Sequence, residues 1–196
     1  MNDDRVWYVS YGSNMSWERF RCYLVGGRPP GGSRTNPGAR DRTLPGRDVG
    51  VELPGTTYFA GSSPQWGGSV AFYDHDAPGP TAARAYLVTA TQLADVAAQE
   101  MYREPGDDTL ADVARRPLPD GRHRLGDGRY ETLVHLGDLD RLPMLTFTAP
   151  GTADDVEHGA PSSAYLDMMA TGLREAHRWD EARIGAYLAG LSPGRG

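Results

Sequence analysis

Hydrophobic and polar positions first alternate, then recur at helical spacing, at the start of the chain. Val6-Trp7-Tyr8-Val9-Ser10-Tyr11 is β-branched and aromatic and predicts a strand, which Gly12-Ser13-Asn14 ends. From Ser16 to Leu24 the apolar residues fall at 17, 20, 23 and 24, the spacing of a helix, with Asn14 or Ser16 as its N-cap. The opening therefore reads strand, tight polar turn, helix. Residues 26–45 are rich in Gly, Pro and Arg and carry no periodicity, which predicts an exposed, mobile excursion. Val49–Leu53, Thr56–Ala60, Ser69–Tyr73 and Arg84–Val88 are short strand-like runs broken by turn residues. Thr91–Met101 places Leu93, Val96, Ala97 and Met101 on one helical face, with Thr89 or Thr91 to cap it. A short helix over Thr109–Arg115 stops at Pro117, strands resume at Tyr130–Leu136 and Met144–Thr148, and helices over Ser162–Leu173 and Trp179–Leu188 close the chain.

Strands at both ends with helices between them do not give the regular alternation of a doubly wound fold. The pattern predicts an α+β protein, a small mixed β-barrel or sheet with helices at its rim. At 196 residues the chain is long enough for one well-cored domain spanning 1–196.

Charge and composition narrow the chemistry. The net charge of −6 sets a like-signed field against phosphates, so nucleic acid is not an expected partner. All 20 basic residues are arginine, which excludes a Schiff-base lysine or a P-loop lysine and leaves guanidinium groups to hold carboxylates. Cys22 is the only cysteine, so neither an internal disulfide nor a multi-thiolate metal site is expected. Met1-Asn2-Asp3-Asp4 lacks a charged leader, and no apolar run nears the ~18 residues of a membrane span, so the expectation is a cytoplasmic protein with no membrane partner. Asp74-His75-Asp76 has no second histidine at ligand spacing, and no metal is expected there. The arginines around His123 read as a solvated loop, and no G-x-S-x-G elbow is present.

Two features carry chemistry. A strand that delivers Gly12-Ser13-Asn14 into a helix start exposes backbone N–H groups at the positive end of a helix dipole, a place for a carboxylate or phosphate. Glu100 lies at the end of the Thr91–Met101 helix, beside Ala97, Ala98, Met101 and Tyr102. Partly apolar surroundings would raise the pKa of such a carboxylate and fit it for acid–base work.

Tyr8-Val9-Ser10-Tyr11-Gly12-Ser13-Asn14-Met15 resembles the Y-x-x-Y-G-S-N-[LM] opening of the gamma-glutamylcyclotransferase-like family. Gly67-Gly68 before a strand, Tyr86-Leu87-Val88 leading through Leu93 to Gln99-Glu100, and Pro161–Tyr165 followed by Thr171-Gly172-Leu173 resemble later family segments in the same order. The resemblance implies that Tyr11, Gly12, Ser13, Asn14 and Met15 hold a gamma-glutamyl group and that Glu100 is the general acid and base. In the implied reaction the substrate's α-amine attacks its own γ-carbonyl and closes 5-oxoproline. Glu100 removes a proton from the amine and returns one to the leaving nitrogen, and no metal or organic cofactor is required. Met101 stands where the family usually has Gly after the glutamate, and a tyrosine common in the last strand is missing from Leu145–Thr148. A related acyl transferase or hydrolase, or a binding module without catalysis, remains open. Glu100 facing the turn favours an enzyme; Glu100 facing solvent favours a binding module.

Overall fold

The computed structural model describes residues 4–191; Met1–Asp3, on which the reading of the leader rests, and residues 192–196 lie outside it. Strand β1 (Arg5–Ser10) leads through a 3-10 turn (Ser13–Met15) into helix α1 (Trp17–Val25). Strands β2 (Asp48–Leu53), β3 (Thr56–Ala60), β4 (Val70–Asp74) and β5 (Thr81–Thr89) follow, then helices α2 (Ala90–Glu100) and α3 (Thr109–Ala114). Strands β6 (Arg122–Arg124), β7 (Thr132–Leu139) and β8 (Leu142–Thr148) precede helices α4 (Ser163–His177) and α5 (Glu181–Leu191).

Six strands form one mixed sheet in the order β2-β5-β1-β8-β7-β6, and β3 and β4 pair as a separate hairpin. β1 lies inside the sheet, antiparallel to β5 with Tyr8 opposite Tyr86, and parallel to β8 with Tyr8 opposite Leu145. Its buried run from Val6 to Ser10 is what a strand covered on both faces requires. The fold class is α+β, as the pattern predicts, but the sheet does not close into a barrel. The hairpin meets the sheet through a side chain: Thr148 Oγ1 accepts from Tyr73 N at 2.9 Å and donates to Tyr73 O at 2.8 Å, where a backbone ladder would have closed the wall.

Two parts of the chain depart from the sequence reading. Arg122–Arg124, expected to be loop, pairs with β7 as a short, fully exposed edge strand, and its charges suit an edge that must not recruit another strand. The 26–45 excursion is docked onto α2. Arg40 pairs through its Nη2 with Asp95 Oδ1 at 2.9 Å, and the Asp95 side chain is fully buried. Gln92 Nε2 donates to the carbonyls of Asp41 and Thr43, and Gln99 Oε1 accepts from Gly38 N.

Candidate active site

The turn after β1 is built by close approach. A Cβ on Gly12 would lie 2.7 Å from Tyr165 Oη and 3.2 Å from Ala71 Cβ, so α4 and β4 reach the turn only because residue 12 is glycine. Its backbone is extended, with φ at −121°, so the requirement is space and not a left-handed conformation. The turn's amides are less available than the sequence predicts. Those of Met15 and Ser16 donate to the carbonyls of Gly12 and Ser13, and that of Ser13 reaches Tyr165 Oη only at 3.4 Å, a long bond that a ligand can displace. The start of α1 is also occupied: Trp17 N donates to Glu175 Oε2 at 2.9 Å, and the same carboxylate pairs with Arg84. The α1 dipole is therefore answered by the protein's own glutamate, and the anion site expected from it is not open.

Glu100 is the last residue of α2 and points at the turn. Asn14 Nδ2 donates to Glu100 Oε1 at 2.7 Å and to Tyr8 Oη at 3.0 Å, while Asn14 Oδ1 is buried without a partner. The surroundings of the carboxylate are hydroxyls and aromatic faces more than the alanines and methionine next to it in sequence. Ala97 and Met101 face a second cleft with Leu110 and Leu125. Burial raises the pKa of Tyr8, and the negative charge of Glu100 raises it further. Tyr165 is pushed up to about 12, first by burial, with the hydrogen bond from Ala71 opposing and the charge of Glu100 adding to it. Burial also holds Tyr23 and Tyr130 well above their ordinary values, Glu100 pushing both higher and the nearby Arg19 guanidinium pulling Tyr23 back. At neutral pH these phenols keep their protons, and Tyr130 spends its own on Ala71 O at 3.1 Å.

These groups line a cleft of about 900 Å³ counted out to its open mouth. Tyr11, Gly12, Ser13, Asn14 and Glu100 all border it; Met15 does not. The Met15 side chain is fully buried under Gly172 of α4, and its carbonyl accepts from Arg84 Nη1 and Tyr86 Oη, both at 2.9 Å. Tyr11 is anchored by its hydroxyl, which donates to Phe147 O at 2.9 Å. The docked excursion supplies a wall through Arg34, Thr35, Asn36 and Pro37. Met101, at the position where the family usually has Gly, has φ −93° and needs no glycine. The left-handed residue is the next one, Tyr102, at φ 59°; its hydroxyl bonds Ser63 Oγ at 3.1 Å and its ring carries the Arg34 guanidinium 4.7 Å from the centroid.

Sequence reasoning missed Tyr165 as a site residue. Its hydroxyl oxygen accepts from Ala71 N at 3.1 Å as well as from Ser13 N, so its lone pairs are occupied and its proton is left to donate into the cleft. Among the described residues no group of three His, Cys, Asp or Glu side chains is placed to hold a metal ion. Asp74 instead organises its own turn by accepting from the amides of Asp76 and Ala77. No helix among the described residues is long and apolar enough to cross a membrane.

The α+β fold is one shared with solved structures that include a gamma-glutamyl cyclotransferase. A solved structure of gamma-glutamyl cyclotransferase superposes with a TM-score of 0.54 at 13% identity, covering 98% of this chain and 90% of that one. An uncharacterized protein from Homo sapiens superposes at 0.56 with 14% identity over 99% of this chain and 92% of its own. At these identities the likeness establishes the fold. No family model matches the sequence. Histone deacetylase 5 of Arabidopsis thaliana is 31% identical over 198 residues, covering 93% of this chain, and the chain spans only 30% of that relative's length.

Proposed function

We propose that the chain is a gamma-glutamylcyclotransferase-like enzyme that cleaves a gamma-glutamyl amine or peptide by intramolecular attack of the α-amine, releasing 5-oxoproline. The observation that carries this reading is the 2.7 Å bond from Asn14 Nδ2 to Glu100 Oε1, which joins the turn and the carboxylate across one cleft. Held there, Glu100 takes a proton from the α-ammonium group and the freed nitrogen attacks the γ-carbonyl. The C–N bond to the leaving amine then breaks as Glu100 returns the proton to it. The Tyr165 hydroxyl and the Ser13 amide are the donors for the oxygen that becomes negative in between. A cleft that bends the glutamyl chain supplies much of the rate by fixing amine and carbonyl together. No step calls on a metal or an organic cofactor, and the reading takes the protein to be cytoplasmic.

A related acyl transferase or hydrolase would share this pocket and differ in the group beyond it, where Arg34, Arg103 and Arg129 border the mouth. A binding module is disfavoured by a glutamate turned into the cleft. The relative's deacetylase name belongs to a protein of which this chain matches 30%, and nothing in the cleft favours that chemistry.

Release of 5-oxoproline from a panel of gamma-glutamyl amino acids, amines and glutathione tests the proposal, with Glu100→Gln beside the wild type. Product from the wild type, and none from a variant that keeps the shape but not the proton shuttle, is expected. Equal turnover by Glu100→Gln would remove Glu100 from the mechanism, and no product from any substrate would end the cyclotransferase reading.

A further inference from the structure

Arg19 projects from the first turns of α1 and borders the cleft, yet it is only 3% exposed. Its Nη2 donates to Tyr23 Oη one helical turn on, and its Cζ lies 4.0 Å from the Tyr23 ring centroid and 5.5 Å from that of Trp66. Nε and Nη1 are buried and have no hydrogen-bond partner. The other guanidinium groups that reach inward are matched: Arg40 by Asp95 and Asp108, Arg84 by Asp48 and Glu175. Arg19 forms no ion pair among the described residues, and two aromatic faces only partly replace the lost hydration of a permanent cation.

We propose that Arg19 is the anchor for a carboxylate of the ligand. Guanidinium and carboxylate are geometrically matched, and in a site away from water the pair is far stronger than on a surface. Nε and Nη1 are closed to bulk water, so anchoring requires the guanidinium to turn between the two rings when the ligand enters. The choice of carboxylate rests on the gamma-glutamyl reading: Arg19 takes the α-carboxylate, which sets the α-amine beside Glu100 and leaves the Ser13 amide and Tyr165 hydroxyl for the γ-carbonyl oxygen. The anchoring itself does not depend on that reading.

Calorimetric titration of wild type, Arg19→Gln and Arg19→Lys with 5-oxoproline and with its neutral amide, 5-oxoprolinamide, tests the anchor without turnover. The wild type is expected to prefer the acid by at least ~10-fold, Arg19→Gln to bind the two within about threefold, and Arg19→Lys to fall between them. Thermal unfolding of each variant separates a lost anchor from a lost fold, with Arg19→Lys carrying the test if Arg19→Gln does not fold. A wild type that binds neither ligand, or the amide as well as the acid, overturns the proposal, as does an acid preference kept in Arg19→Gln. Acid preference through Arg19 with no 5-oxoproline formed from any substrate would leave the anchor standing and end the cyclotransferase reading. Turnover with the preference intact in Arg19→Gln would do the reverse.

Discussion

Tyr165 and Gly12 are paired by distance: the phenol oxygen occupies the space in which any larger residue at 12 would place its Cβ. That fit brings a hydroxyl with an uncommitted proton to the turn, and it separates two contributions that substitution can resolve. Tyr165→Phe removes the proton and also strands the buried Ala71 amide, which costs about 1–3 kcal/mol of stability. If the proton also steadies the developing oxyanion, kcat falls roughly 10²-fold, far beyond the effect of modest destabilisation on a protein still folded at the assay temperature. Steady-state kinetics beside thermal unfolding checks this; kcat within a factor of two of the wild type would make Tyr165 a packing residue. Gly12→Ala is expected to lose substrate affinity and stability together, because it displaces that same phenol.

At the scale of elements, α4 reaches the site through Gly172, where a Cβ would overlap Met15 and lie 2.7 Å from Ser16 N. Gly172→Ala is expected to destabilise the fold by about 1–3 kcal/mol by forcing α4 off the turn, and denaturant unfolding measures it. An unchanged midpoint would mean that the helix slides without cost. The contact also explains what the sequence could and could not disclose. Strong periodicity made β1, α1, α2 and the closing helices legible, and the Tyr11–Asn14 turn with Glu100 stood out by the resemblance. The docking of the 26–45 excursion was not legible, because Gln92, Asp95 and Gln99 form a polar stripe at helical spacing that reads as a solvated face. Here that stripe is buried, its hydrogen bonds spent on a chain segment with no pattern of its own. Arg19 was hidden for the same reason: on a helix wheel an arginine looks like surface, and only tertiary packing encloses it. The start of α1 misled in the other direction, since the carboxylate that answers it, Glu175, comes from a helix 158 residues away in the chain.

Over the whole molecule, Arg84 and His177 tie α4 to the sheet, and they respond differently to pH. Arg84 on β5 bonds Asp48 Oδ1 through Nε at 2.8 Å, Glu175 Oε2 through Nη1 at 2.5 Å, and the Met15 carbonyl at 2.9 Å, so one cation holds β2, α4 and the turn. His177, the last residue of α4, donates from Nε2 to Ala83 O at 2.9 Å, and burial lowers its pKa below the ordinary 6.5. A base whose folded pKa is depressed takes up its proton more readily in the unfolded chain. Its contribution is therefore complete above about pH 6.5 and is lost as pH falls from there through the folded pKa. The aspartates held low by their own hydrogen bonds, Asp76 by Arg122 and Asp155 by Thr152, act only lower, below their ordinary 3.8. Thermal unfolding across pH is thus expected to show a plateau above 6.5, a first decline beneath it owed to His177, and a second below about 4 owed to the carboxylates. His177→Gln preserves a donor to Ala83 without a titrating ring and is expected to abolish the first decline while leaving the second. If the first decline persists in that variant, a group other than the α4 histidine governs the coupling of this helix to the sheet near neutral pH.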